Sequence, residues 1–393
     1  MIKDIEIVQY KCTFTPLTPI QIGDGNTLSP FEYVIKDNKY YRIDMSEVID
    51  KMEDDKRKSL MKILEKNNNF FELRKFFSDN YQEKYGYLYK CDVDKNFTDK
   101  YMEKIGGYGK KNEESELPIT EFIGFHKNKY VPGSTLKGAI RGAYLMDNFN
   151  EKDYYKLERN IRVRTKPFKF KGENRGEVKK VKQIESRILG LNSFEPKFDP
   201  FKNIKITDIN FNSDLIEIKP LTRIATKKEG ISRLELGTSE TLSSVFSNNK
   251  ELNFDFSIFI KNIYGDIADK IKNLAITTNK FTKEKENIIK ETQEFYLDGG
   301  LFNSLNEKAE KIIESDKKFF EKAKLKKAVE ICNKLKEYKD KLKENQALIR
   351  IGRGAGFNST TFNLCNEKVE DVFTRVTVDE IPVGWALITC EEI

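Results

Sequence analysis

Histidine is almost missing from this chain of 393 residues: His126 stands alone, which excludes triads and metal clusters that draw on several imidazoles. A solitary histidine is more often structural than a general base. Cysteine is nearly as scarce. Cys12, Cys91, Cys332, Cys365 and Cys390 are odd in number, widely spaced and form no C-x-x-C pair, so neither a disulfide framework nor a zinc site is expected. No apolar run approaches the length of a membrane span, and the opening MIKDIEIVQYKC carries charges where a signal peptide needs its apolar core. These absences point to a soluble, cytoplasmic protein with no membrane partner and no evident cofactor or metal site.

What is present suffices for two domains. Apolar residues make up 38% of the chain, enough to build real cores. Lysine plus arginine number 70 against 63 aspartates and glutamates, a net charge of +7, which over this length is a mild bias toward anionic partners. Its distribution is more informative. Between Ile161 and Arg187, ten cations (Arg162, Arg164, Lys166, Lys169, Lys171, Arg175, Lys179, Lys180, Lys182, Arg187) face Glu173, Glu177 and Glu185, an excess equal to the net charge of the whole chain. The stretch RVRTKPFKFKG interleaves aromatics with cations, which suits base stacking beside a phosphate track; a solvated loop reads the same way. The charged run 307–344 reads as solvated helix faces.

Along the chain, YKCTFTPLTPIQI (10–22) reads as a strand broken at Pro16 and Pro19 that meets a GDG turn at 23–25, and 31–44 as a hairpin turning at Asp37-Asn38. Helical patterns follow from Ser46 to about Glu65 and at 71–79, then a strand pair around 121–132 leads into a helix. In the second half, 204–211 and 215–226 read as strands, 241–249 and 252–260 as an antiparallel pair, 284–345 as helical with a break at 298–300, and 347–361 as a strand running into a glycine loop before a closing strand at 381–390. Strands and helices thus alternate in both halves, an α+β pattern.

The helix in YVPGSTLKGAIRGAYL (130–145) sorts at 100° per residue into three stripes: Leu136, Ala139, Ile140 and Ala143; Lys137 and Arg141; Gly138 and Gly142. Each glycine costs about 0.8–1 kcal/mol relative to alanine inside a helix, so either a backbone or a ligand is expected against that stripe. GRGAGFNST places glycines at 352, 354 and 356 around Arg353. Its exposed amides suit a phosphate, yet Phe357 stands where a dinucleotide fingerprint needs its last glycine, and the Walker ending is absent; a structural turn is the alternative. Asp24, in the GDG stretch, is a lone candidate carboxylate for metal-dependent RNA cleavage.

Taken in order, TFTPLTPIQIGDG, VPGSTLKGAIRGA, RIGRGAGFNSTT and the terminal PVGWALI resemble the RAMP superfamily of CRISPR proteins, and within it the subunits that cap the crRNA 3′-end in type III-A (Csm) effector complexes. The resemblance implies two ferredoxin-like (RRM-like) domains with helical insertions. One spans residues 1–200 and holds the basic loop 161–187; the other spans 201–393 and holds the insertion at about 284–345 and the glycine-rich loop 352–360. It implies a non-catalytic crRNA-binding subunit needed for crRNA maturation and complex assembly, whose partners are crRNA, a neighbouring RAMP backbone subunit, a small helical subunit and a host ribonuclease. The RNA-binding residues it suggests are Gly133, Ser134, Lys137, Gly138 and Arg141, the cations Arg162, Arg164, Lys166, Lys169, Lys171, Lys179, Lys180 and Lys182, and Gly352, Arg353, Gly354, Gly356 and Phe357. A metal-dependent endoribonuclease using Asp24 or another carboxylate, or a scaffold that touches only protein neighbours, are the competing readings.

Overall fold

The computed structural model describes residues 7–29, 31–65, 70–105, 117–150, 184–189, 199–227, 230–248, 251–261, 300–355 and 374–393. The chain opens with β1 (Ile7–Pro16), β2 (Gly23–Leu28), β3 (Tyr33–Lys36) and β4 (Lys39–Arg42), followed by α1 (Met45–Lys51), α2 (Asp54–Glu65) and α3 (Phe70–Asn80). Next come β5 (Tyr89–Val93), α4 (Lys95–Ile105), β6 (Ile119–Phe122), β7 (Gly124–Phe125), β8 (Asn128–Val131) and α5 (Gly133–Asp147). The later elements are β9 (Ile204–Ile206), β10 (Ile209–Asn212), β11 (Ile216–Lys227), β12 (Gly230–Leu242), α6 (Val245–Asn248) and β13 (Phe254–Lys261). After them stand α7 (Gly300–Lys322), α8 (Lys326–Asp340), β14 (Gln346–Arg350), β15 (Thr374–Val378), β16 (Ile381–Pro382) and β17 (Trp385–Glu392).

Local chemistry explains several of these boundaries. Asp37 and Asn38 both take positive φ, 52° and 56°, the two-residue geometry whose twist matches flanking strands, and β3 pairs with β4 across them as the sequence predicts. In α5 the apolar stripe is the buried one: Leu136, Ile140 and Ala143 lie in the main core. The expected helix from Ser46 to Glu65 is interrupted at Met52, whose extended backbone caps α1.

Among the described residues, two large sheets and a small one carry the fold. The first has the order β14-β17-β1-β13-β9 and is antiparallel throughout. The second runs β2-β6-β12-β11-β5-β4-β3, with β15 also on β11 and β16 on β15, and β10-β8-β7 form the third. Both large sheets draw strands from either side of residue 200, so the two halves divided there in the sequence share them. The result is a mixed α+β fold with one large core between α5 and the sheets, a second under α7 and α8, and an aromatic-rich third beneath α1–α3. Among the described residues no helix is long and apolar enough to cross a membrane.

Four expectations are corrected. GDG at 23–25 is strand rather than turn, with an irregular register between Gly23 and Thr27. The 204–211 strand is two, β9 and β10. The 241–249 stretch does not pair with 252–260. It finishes β12, whose long pairing with β11 went unpredicted, and then turns into α6, begun by the Ser244 and Ser247 hydroxyls, which bond each other at 2.9 Å. Finally, Cys12 and Cys390 are joined as a disulfide across 378 residues. The register of β1 on β17 sets them directly opposite, with Cα atoms 4.0 Å apart, a juxtaposition that sequence spacing does not reveal.

Candidate nucleic-acid interface

The site is built around α5, which leaves β8 through Pro132. Gly133 is needed because the chain crosses itself there: a Cβ would lie 2.1 Å from the Ile206 carbonyl oxygen. Its N–H donates to the Asp208 carboxylate at 2.8 Å, so a side chain of this protein already occupies the positive end of the helix. Ser134, one residue on, is exposed.

The structure engages both helix cations internally. Lys137 Nζ donates to the Ile204 carbonyl at 2.7 Å, and burial pushes its ammonium below the usual lysine range. Arg141 bridges Glu185 at 3.2 Å and Asp199 at 3.4 Å. Together they stitch the chain that returns from the basic segment onto α5. Of that segment only 184–187 is described; Arg162, Arg164, Lys166, Lys169, Lys171, Arg175, Lys179, Lys180 and Lys182 lie outside the described residues.

The two stripe glycines meet different surroundings. Beside Gly142, a Cβ would come within 2.8 Å of Lys308 Nζ, whereas Gly138 has nothing within 4 Å. The glycine-rich loop approaches from β14. Gly352 adopts φ +77°, and a Cβ there would sit 2.4 Å from the Gln21 carbonyl oxygen. The same oxygen accepts from the Arg353 N–H at 2.7 Å, Gly354 packs against Val383, and the Arg353 side chain is exposed. Gly138 and Gly352, 214 positions apart in the sequence, line one cavity of about 200 Å³ with Lys308, Arg350 and Trp385. Gly356 and Phe357 lie outside the described residues.

Sequence reasoning passed over Lys308, Asp316, Arg350 and Arg375. Arg350 donates to Asp316 through Nη1 at 2.6 Å and Arg375 through Nε, so that two guanidiniums share one buried carboxylate. The signal was present: Ser304, Lys308, Ile312, Asp316 and Phe320 follow one another every four residues, and all are buried. The charged run of α7 is therefore solvated on one face only. Asp24 is exposed, and its two oxygens accept from the Asn26 backbone and side chain at 2.7 and 2.8 Å. No group of three metal-ligating side chains occurs among the described residues.

The RAMP superfamily pattern matches residues 13–359 of this chain. The chain belongs to that superfamily. One RAMP relative, the "CRISPR system Cms protein Csm5" of Methanocaldococcus jannaschii, is 27% identical over 207 residues, a match that spans 51% of this chain and 42% of that protein. Two solved structures share the fold of this RAMP chain. One is a chain from the "Csm-crRNA-target RNA ternary complex in type III-A CRISPR-Cas system", with a TM-score of 0.64 at 18% identity, covering 97% of this chain and 100% of that one. The other is T. onnurineus Csm5, with a TM-score of 0.60 at 17% identity, covering 95% and 99%.

Proposed function

We propose that this protein is a non-catalytic, crRNA-binding subunit of a type III-A CRISPR interference complex, holding the 3′ portion of the crRNA and needed for its maturation and for complex assembly. The observation that carries this reading is the sequence match to a Csm5 protein within a superfamily assignment spanning most of the chain. It brings with it two ferredoxin-like units whose strands the two halves exchange, contacts to a neighbouring RAMP backbone subunit and a small helical subunit, and trimming of the RNA by a host ribonuclease. Exposed Ser134 and Arg353 beside the α5 cavity, and the cations between 162 and 182, supply phosphate contacts with little base readout. Lys137 and Arg141 act one step back, fixing the chain that returns from those cations.

The test is binding of a 3′-extended crRNA across a salt series, with the products run on a denaturing gel. Intact RNA and a steep loss of affinity with salt are expected, the slope falling by about 0.7 for each phosphate contact removed by neutralising Lys169, Lys171, Lys179 and Lys180. Salt-insensitive binding overturns the reading. RNA that is shortened in magnesium, and left uncut by Asp24→Ala, makes the chain an endoribonuclease instead.

A further inference from the structure

The one histidine of the chain sits at the turn between β7 and β8. His126 adopts φ +51°, uncommon for a residue with a side chain, and its imidazole lies against the Phe125 ring with centroids 4.0 Å apart and planes 14° from parallel. The pair is not a small core. Phe125 stays 73% exposed, while no other phenylalanine, tyrosine or tryptophan among the described residues exceeds 38%, and it joins none of the buried apolar clusters. Stacking on His126 therefore leaves the outer face of the phenyl ring open to solvent.

The support beneath the pair is stiff. Phe125 pairs with Asn128 across the turn, and Gly124, at φ +152°, lets the strands meet so closely that a Cβ there would lie 2.4 Å from the Asn128 carbonyl oxygen. From the other side, β10 pairs Asn212 with Asn128, and the Ser213 N–H donates to the Lys127 carbonyl at 2.8 Å. The turn is held on both flanks, so its rings are set before any partner arrives.

The surroundings select that partner. Lys127, Asn128 and Asn212 are all exposed, which makes Phe125 a single flat apolar face among polar groups rather than part of a contiguous apolar patch of the kind that docks proteins. A planar ligand with a π face, polar edges and a neighbouring negative charge fits it: the ring stacks, the amides meet the edges, and the lysine meets the charge. β8, four residues long and so about 13 Å, leads from this turn through Pro132 into α5. The pair is thus continuous with the candidate interface.

We propose that the Phe125–His126 pair is a platform on which one unpaired nucleobase of bound RNA stacks, against the outer face of Phe125. The proposal rests on the RNA-binding reading above. A single stack holds a ligand more weakly than about 1 mM, so the base comes from a strand held elsewhere by its phosphates and not from a free nucleotide.

Single-stranded RNAs carrying 2-aminopurine at successive positions of the crRNA 3′ portion test this with the full chain. Binding is expected to quench the probe most strongly at one position, and Phe125→Ala abolishes that quenching. Affinity falls by about fivefold or more in the same variant, and by the same factor at every salt concentration, because stacking releases no counterions. Phe125→Trp keeps both the quenching and the affinity. Since Phe125 packs in no core, these variants keep the circular dichroism spectrum of the parent chain. Equal quenching and affinity in Phe125→Ala overturn the platform and leave the RNA-binding reading standing. A loss that changes the salt slope also overturns it, since that loss lies in phosphate contacts. Failure of the unaltered chain to bind any of these RNAs overturns both.

Discussion

Replacing Lys129 by methionine tests the electrostatic keystone of the second sheet. Lys129 is fully buried on β8, and its Nζ lies 3.2 Å from Glu240 on β12 and 3.1 Å from Glu121 on β6. Glu240 is also fully buried. It accepts from the Phe122 N–H at 2.9 Å and from the Tyr89 hydroxyl of β5, and Tyr40 of β4 stands 3.5 Å away. At an effective dielectric of about 20, a pair 3.2 Å apart interacts by roughly 5 kcal/mol. Loss of one partner of a buried pair costs about 3–5 kcal/mol, because the other charge stays behind. Lys129→Met should therefore lower unfolding stability by about 3–5 kcal/mol at pH 8.

The cost must also depend on pH. Burial already raises the Glu240 carboxyl above the usual range, and the Lys129 charge is the largest influence holding it down, so the variant carries Glu240 with its pKa higher still. A carboxyl raised in the folded state favours folding at low pH and loses that contribution as pH climbs through the folded value. The penalty of Lys129→Met thus shrinks as pH falls, because a Glu240 that takes up its proton needs no counter-charge. Glu240→Gln in the Lys129→Met background should recover most of the loss at pH 8, since an amide still meets Phe122 and Tyr89. Urea unfolding followed by circular dichroism at pH 5 and pH 8 measures the cycle. A cost under about 1 kcal/mol, or one equal at pH 5 and pH 8, would refute a buried ion pair.

Two further outcomes follow from the backbone and the cysteines. Gly133→Ala forces a Cβ to within 2.1 Å of the Ile206 oxygen and should destabilise by at least the roughly 1–3 kcal/mol of overpacking, while Gly138→Ala meets open space and should gain about 0.8–1 kcal/mol of helix propensity; chemical denaturation giving the reverse order would sink the packing argument. Titration of thiols in denaturant without reductant should count at most three, because Cys12 and Cys390 are paired. A count of five would show the two apart.

Much of the outline was legible before any coordinates. The β3–β4 hairpin follows from two residues tolerant of positive φ, and the buried stripe of α5 follows from a 3.6-residue period; both are local. The same period held Lys308 and Asp316 on the apolar face of α7, yet a charge-rich run reads as solvated until something is known to cover it. The long strand β12 was missed because its outer half, ISRLEL, is mostly solvent-facing and lacks the apolar alternation that marks a strand. The roles of Lys137 and Arg141 changed for a different reason. Their spacing is set by α5, but their partners Ile204, Glu185 and Asp199 arrive from a returning chain whose path no local pattern encodes.

The sequence by itself determined an α+β chain with a glycine-striped helix, a glycine-rich turn and too few histidines for a site built on several imidazoles, because backbone preference and side-chain periodicity act over a few residues. Only the tertiary structure decided that Gly138 and Gly352 share a cavity, that one carboxylate serves two buried arginines, and that Cys12 faces Cys390. Each of these depends on how strands from both halves pair within common sheets, and that pairing is settled by burial of the whole chain.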